Sequence, residues 1–310
     1  MTALEGRTAR NRRGRRAWVA VLPFLLPALV LYVVFVLFPI LQAVRFSLFK
    51  WNGLTPLTDF VGLANYERAL ADPVFLGAIS HNFLIIALSL IIQIPFALGL
   101  ALVLNRRFRG RAVLRLLFFV PYVISEVITG IVWQLLLQPA GPVDGAMTAA
   151  GLGDLYQPWL ADPSTVLLAL FVIISWKYFG FHMILLLAGL QAIPRDLEEA
   201  AAVDGATRGQ AIRYVTLPLL GPTLRVSVFL SMIGALQLFD MVWVMTGGGP
   251  LNVSTTMAVN MFKTGFKSQQ MGYGSALAVM LFLCALVVAL LYQRYVLRRD
   301  VDGAITAYNA

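Results

Sequence analysis

The sequence predicts an all-α membrane protein with six transmembrane helices and both termini on one side of the membrane. Of its 310 residues, 59% are hydrophobic and only 13% are charged, against roughly 25% charged residues in an ordinary soluble domain. The apolar residues also form blocks of about twenty or more, whereas a buried core helix usually ends after about 10–14. A soluble globular fold is therefore excluded.

Six apolar blocks are long enough to cross a hydrocarbon layer of about 30 Å at about 1.5 Å per residue. The predicted spans are 17–38, 79–104, 112–137, 165–191, 219–245 and 274–297. The first block follows a run of arginines, as in a signal peptide, but exceeds the usual core of about 7–15 residues and is interpreted as a retained helix. We therefore divide the chain into a basic tail (1–16), a transmembrane domain (17–297) and a C-terminal tail (298–310).

The placement of basic residues predicts the orientation. Seventeen Lys and Arg residues flank the spans on the side of the two termini, five lie on the other side, and Lys177 and Arg225 fall within spans. Because cytoplasmic segments carry the excess of Lys and Arg, both termini are predicted to be cytoplasmic. The same placement explains the net charge of +9 as an orientation signal. We therefore expect the chain to contact membrane lipid and not nucleic acid.

Several site chemistries have no counterpart in the sequence. Cys284 is the single cysteine and His81 and His182 are the two histidines, so neither a disulfide framework nor a Cys/His metal site is predicted. A G-x-x-x-x-G-K-[ST] phosphate loop is also missing, so ATP binding of the usual kind is not expected in this chain.

Ionisable residues inside a span are costly unless they are paired or face water, and they therefore indicate function. Glu126 and Lys177 lie at matching depths in the third and fourth predicted spans. They either pair, which would fix helix packing, or both line a polar cavity. In the fifth predicted span, Gln237, Asp240 and Trp243 have a three-residue spacing that predicts one helical face.

The predicted cytoplasmic loop 192–218 differs from the other loops because it combines acids, bases and alanines. Pro194 precedes a helix-forming run, Gly205 interrupts it, a second short helical piece is expected around Gln210–Tyr214, and Pro218 ends the loop. A helix–turn–helix on the cytoplasmic face is predicted. Lipid contact does not require such an acidic helix, which indicates a protein partner.

The string Glu199–Ala206 (EAAAVDGA), continuing to Thr216–Leu219 (TLPL), resembles the EAA loop of binding-protein-dependent ABC importer permeases. Further segments are similar to carbohydrate-uptake permeases, specifically to the first of the two paired subunits of maltose and glycerol-3-phosphate importers. They are Phe60–Tyr66 (FVGLANY), Pro121-Tyr122, Trp176-Lys177, Ala188–Pro194 (AGLQAIP) and Thr246–Pro250 (TGGGP).

This resemblance implies a type I ABC importer permease bundle that moves a mono- or oligosaccharide across a bacterial cytoplasmic membrane. The implied partners are a second permease subunit, two ATP-binding subunits that use ATP and magnesium, and an extracellular solute-binding protein. Catalytic residues and a cofactor or metal in this chain are not expected. The residues implied for the substrate pathway are Tyr122, Glu126, Lys177, Tyr178 and Phe181, and those for ATPase coupling are Glu199, Ala200, Ala201, Asp204, Gly205, Leu217 and Pro218. Their shared helical face adds Gln237 and Asp240 to the predicted pathway, with Asp240 and Trp243 either at the cavity mouth or as interfacial anchors.

Two other classes of protein remain alternatives. In an ion-coupled secondary transporter, Glu126 and Lys177 would form a coupling pair. A membrane enzyme would cluster several acids or histidines at one interface, whereas the acids of this sequence are scattered.

Overall fold

The computed structural model describes Pro23 and residues 25–297. The predicted tails 1–16 and 298–310, and the beginning of the predicted span 17–38, lie outside the described residues. The described residues form helices joined by turns and loops, and they form no strand. The helices are α1 Leu25–Ser47, α2 Ala64–Ala71, α3 Pro73–Leu104, α4 Arg111–Val123, α5 Glu126–Leu137, α6 Pro142–Ala149, α7 Val166–Ala192, α8 Arg195–Val203, α9 Arg208–Leu236, α10 Asp240–Met245, α11 Met257–Phe262 and α12 Met271–Leu297.

Five of these helices (α1, α3, α7, α9 and α12) are each long and apolar enough to cross a membrane. The helices α4 and α5 supply the sixth crossing together. The start of α4 and the end of α7 lie at the same end of the bundle, since Arg111 and Ile193 line one cavity there. With its 27 residues α7 reaches the other end, so the chain has crossed between Arg111 and Val166.

The third predicted span, 112–137, is wrong as a continuous helix. The axes of α4 and α5 differ by 96° across a break at Ile124 and Ser125. The apolar block contains Pro121, three residues before the break, but hydropathy alone does not show the bend, because the groups that stabilise the break belong to another helix.

Three prolines inside the long helices follow short π-helical segments. The segments Val33–Leu37, Ser89–Gln93 and Ile212–Thr216 end two residues before Pro39, Pro95 and Pro218. A proline lacks the N–H donor and clashes with the carbonyl of residue i−4, and the wider π turn accommodates both effects. The helices therefore continue through these prolines.

The fifth predicted span, 219–245, has different limits in the structure. The helix α9 begins at Arg208, runs through Pro218 and ends at Leu236, and α10 begins separately at Asp240. Pro218 therefore does not end the loop as predicted, because the π segment before it absorbs its effect. Gln237 and Asp240 also do not share one helical face, since a break in the helix separates them.

The turn between α8 and α9 agrees with its sequence signals. The amides of Gly205 and Ala206 donate to the carbonyls of Ala202 (3.1 Å) and Ala201 (2.9 Å), a pair of bonds that closes a helix C-terminus when a glycine takes positive φ. Gly205 has φ +83°. Thr207 then forms a reciprocal capping box with Gln210 at the start of α9.

The close approach of α4 and α7 depends on a glycine. A side chain at Gly180 would place its Cβ 2.0 Å from the carbonyl oxygen of Phe118, which no residue other than glycine permits without a shift of the helices. This approach sets α7 directly beside the C-terminal end of α4, where the third crossing breaks.

Candidate functional site: a cavity between two broken helices

A cavity of about 360 Å³ with both polar and apolar lining lies among α3, α4, α5, α7, α9 and the start of α10. This volume lies within the range of about 300–1,000 Å³ that is usual for small-molecule sites. Six of the seven residues predicted for the substrate pathway line it. Its polar lining consists of Ser89, Gln93, Tyr122, Glu126, Tyr178, His182, Ser231, Gln237 and Asp240.

Lys177, the seventh predicted pathway residue, does not line the cavity. It is 2% exposed, and its ammonium group donates to the carbonyls of Pro121 (3.4 Å), Tyr122 (3.5 Å) and Ile124. These carbonyls lie at the broken end of α4, where helical partners are missing and the helix dipole is negative. Lys177 therefore caps the break rather than pairing with Glu126.

The two residues that flank this break contact aromatic side chains of α7. The Tyr178 hydroxyl donates to the carboxylate of Glu126. The ring of Tyr122 is stacked on Phe181 with 5.0 Å between the centroids, and it meets Tyr178 edge-on at 6.0 Å. The cavity wall thus combines aromatic rings with a carboxylate in direct hydrogen bonding.

A second break, at residues 237–239, separates α9 from α10 on the other side of the cavity. The amide nitrogen of Asn82 donates to the carbonyl of Ala235 (2.6 Å), and the Thr256 hydroxyl donates to that of Leu238 (2.7 Å). Gln237 lies at the start of this break and Asp240 directly after it, and both line the cavity. Irregular backbone at membrane depth is tolerated only where protein buries it or where it borders a cavity. The backbone of this break meets both conditions.

Sequence reasoning missed several polar residues of the cavity. Ser89 and Gln93 belong to the π-helical segment of α3 and are almost fully buried. His182 also lines the cavity, and its Nδ1 lies 2.8 Å from the Ser227 hydroxyl of α9. A polar pair before Pro95 inside an apolar block was the available signal, because π segments recur at functional sites.

At one end of the bundle, residues 105–115 and 191–216 meet; we call this the basic end. The helix α8 turns Arg195, Glu198, Glu199 and Ala202 toward the rest of the chain, where they line a groove. Val203 on the outer side is 87% exposed. Of the predicted coupling residues, Glu199 lines the groove, Ala200, Ala201, Asp204 and Gly205 lie in α8 and its closing turn, and Leu217 and Pro218 follow the π segment of α9.

Within the described residues, no group of three or more His, Cys, Asp or Glu side chains is arranged to hold a metal ion. The cavity instead offers hydroxyl, amide and carboxylate groups beside aromatic faces. Hydroxyl, amide and carboxylate groups form hydrogen bonds with polar organic solutes, and aromatic faces stack on them. Fold and cavity together describe a polytopic helical membrane protein with a cavity between two broken helices.

Comparison with known proteins identifies the class. Residues 93–301 match the family described as binding-protein-dependent transport system inner membrane component. The multiple sugar-binding transport system permease protein of Streptococcus mutans is 34% identical over 86% of this chain and 92% of its own length. The trehalose/maltose transport system permease protein of Thermococcus litoralis is 34% identical over 86% and 90%. This chain therefore belongs to the family of inner-membrane permease components of binding-protein-dependent ABC transport systems.

Solved structures share the fold. A bacterial ABC transporter involved in the import of the acidic polysaccharide alginate superimposes with a TM-score of 0.81 at 23% identity, covering 93% of this chain and 99% of that one. A second structure, of an alginate ABC transporter in complex with an alginate pentasaccharide-bound periplasmic protein, has a TM-score of 0.79 at 23% identity, with 91% and 95% covered. The predicted ABC importer permease fold is thus confirmed.

Proposed function

We propose that this chain is one of two permease subunits of an ATP-driven sugar importer and translocates a mono- or oligosaccharide through the cavity between its broken helices. The observation that carries this proposal is the joint placement of Tyr122, Glu126, Tyr178, Gln237 and Asp240 around one membrane-embedded cavity. The relatives named for trehalose/maltose and multiple-sugar transport support a sugar as the solute.

The lining suits a polyhydroxylated ring. Aromatic faces such as Tyr122 and Phe181 pack on the C–H face of a sugar, while carboxylate and amide groups bond its hydroxyls. Glu126 and Asp240 accept hydrogen bonds, and Gln237 both accepts and donates. Lys177 is proposed to act indirectly, by fixing the break that positions Tyr122 and Glu126.

The proposed assembly contains a second permease subunit, two ATP-binding subunits and an extracellular solute-binding protein. This chain is a non-catalytic translocation subunit, and ATP with magnesium is hydrolysed by the partners. We place it as a multi-pass protein of the bacterial cytoplasmic membrane, with the tails 1–16 and 298–310 and the basic end in the cytoplasm. The excess of Lys and Arg at that end supports this orientation.

The helix α8 is proposed as the coupling element. One face of α8 lines the groove at the basic end of this chain, while the exposed Val203 and the closing turn at Asp204 and Gly205 are accessible to an ATPase subunit. The helix α9 begins at Arg208 and continues to the cavity residue Ser231. Force applied to α8 would therefore reach the cavity through one continuous helix.

A secondary transporter driven by a Glu126–Lys177 coupling pair is less well supported, because Lys177 donates to backbone carbonyls and Glu126 accepts from Tyr178. Among the residues that the structure describes, the acids also do not gather at one interface as a membrane enzyme of lipids or glycans would require. We therefore retain the importer as the proposed function.

Uptake by the reconstituted complex tests the proposal. The chain, its co-purified subunits and the solute-binding protein would be placed in liposomes with internal ATP, and uptake of a panel of radiolabelled sugars measured. Tyr178→Phe removes the hydroxyl that orients Glu126, so KM for uptake should rise about ten-fold, the equivalent of one hydrogen bond to a charged group. The matched control, Tyr295→Phe, alters a tyrosine 64% exposed outside the cavity lining and should leave KM unchanged.

Two results would contradict the proposal. Sugar uptake by the chain without an ATPase subunit, driven by a proton gradient, would overturn the importer. A rise in KM that is equal in both tyrosine variants would show that the cavity is not the sugar site.

A further inference from the structure

A second and larger cavity, of about 700 Å³, lies at the basic end of the chain. The connection between α3 and α4, the end of α7, the helix α8 and the start of α9 surround it; we call it the basic pocket. Its charged lining includes six arginines: Arg106, Arg107, Arg111, Arg115, Arg195 and Arg208. The sugar pathway does not use this pocket.

The pocket has a strong positive excess. The six arginines face two lining acids, Glu198 and Glu199, which leaves four uncompensated positive charges. Glu198 is also engaged with the Thr216 hydroxyl at 3.1 Å. Six arginines that line one cavity give it a positive potential, which favours the binding of an anion.

Arg115 indicates the kind of anion. One terminal nitrogen of its guanidinium donates to the carbonyl of Leu104 at 2.8 Å, whereas Nε is buried without a hydrogen-bond partner. Buried donors are normally satisfied, and an orphan on a charged group is exceptional. Guanidinium groups bond phosphate oxygens through paired N–H donors, which makes phosphate the anion that best fits several arginines.

The surroundings of the pocket favour a lipid over a free anion. Leu102 and Leu190 belong to the lining itself. Val103 follows the lining residue Leu102 and is 51% exposed, and Val113 lies midway between the lining residues Arg111 and Arg115 and is 59% exposed. The pocket thus lies where apolar, lipid-facing helix surface gives way to arginines, which suits a ligand with hydrocarbon chains beneath a phosphate.

We propose that the basic pocket binds the phosphate headgroup of an anionic phospholipid. Because Arg106 and Arg107 come from the α3–α4 connection while Arg195 belongs to α8, the bound headgroup joins these elements. The lipid therefore braces α8 against the membrane-embedded part of the chain. This role is separate from the recognition of the transported solute.

Retention of lipid by the purified complex tests this proposal. The complex would be assembled in nanodiscs that contain equal amounts of phosphatidylglycerol and phosphatidylcholine, washed in detergent, and analysed by native mass spectrometry. The double variant Arg107→Gln/Arg111→Gln removes two pocket charges but spares Arg115, which supports the backbone. Retained phosphatidylglycerol should fall about ten-fold, with phosphatidylcholine unchanged.

The matched control is Arg109→Gln/Arg213→Gln, which removes two exposed arginines near the same end that do not line the pocket. This variant should retain phosphatidylglycerol as the unmodified complex does. Equal loss in both variants, or no loss in the pocket variant, would overturn the proposal.

Two further outcomes identify a different occupant and also overturn it. Displacement of the phosphatidylglycerol by millimolar inorganic phosphate would indicate a site for a free anion. Loss of the ATPase subunit from the pocket variant with unchanged lipid retention would show that the arginines contact protein.

Discussion

A single residue, Lys177, stabilises the backbone at the end of α4, beside the cavity. A helix that ends within the membrane leaves carbonyls without partners, and water is not available there to satisfy them. The ammonium group of Lys177 donates to three carbonyls at the end of α4. Tyr122 and Glu126 therefore have defined positions on the two sides of the break.

Replacing Lys177 tests this role. Lys177→Met retains the length of the side chain but leaves the carbonyls without a donor, which should destabilise the complex by about 1–3 kcal/mol and raise KM for uptake. The same substitution at the exposed Lys267 should change neither quantity. Thermal unfolding in detergent and uptake assays measure the two effects, and an unaltered Lys177→Met complex would contradict the capping role.

Residue-scale features were predictable from the sequence only in part. Glu126 and Lys177 stand out because a charged residue inside an apolar block is costly without a partner. Their actual partners, the Tyr178 hydroxyl and the α4 carbonyls, depend on how two helices meet. Asn82 gave even less signal, because a neutral amide in an apolar block does not indicate which distant carbonyl it bonds.

At the scale of whole elements, the structure has two interrupted helices around one cavity. The break after α4 and the break after α9 both expose backbone that side chains of other helices then satisfy. Hydropathy predicted the spans but placed both blocks in continuous helices, since a break without glycine or proline at its centre leaves no local pattern. The roles of the cavity residues in solute binding stay predictions.

The turn after α8 gives a sharp prediction at this scale. Gly205 and Gly209 both have open space where a Cβ would lie, but Gly205 alone of the two has a positive φ, +83°. Gly205→Ala should therefore destabilise the turn by about 1–2 kcal/mol, whereas Gly209→Ala in the first turn of α9 should be neutral or stabilising. Hydrogen exchange of the α8 amides, alongside ATP-coupled uptake, measures the difference.

Faster exchange and weaker uptake in Gly205→Ala, but not in Gly209→Ala, is the expected pattern. Equal exchange in the two variants would show that the turn does not depend on the left-handed residue. Faster exchange with undiminished uptake would show that the turn is not needed for coupling.

At the scale of the molecule, the chain is one partner of a larger assembly. In the most apolar stretch of α1, none of the residues is buried within this chain. In the corresponding stretch of α12, only 17% are buried. The sequence predicted the membrane fold and the permease family, because hydropathy and the loop motifs are local signals. Orientation rests on charge counting alone and stays a prediction.

We propose that α8 faces the cytoplasm and receives force from an ATPase subunit. Single cysteines at Val203 and Leu251, which are 87% and 85% exposed, would be placed in a Cys284→Ser background and treated with a membrane-impermeant maleimide. In intact cells we expect labelling at position 251 only. In inside-out vesicles, position 203 should be labelled after the ATPase is stripped and protected when it is present. Labelling of position 203 from outside, or at the same rate with and without the ATPase, would contradict the claim.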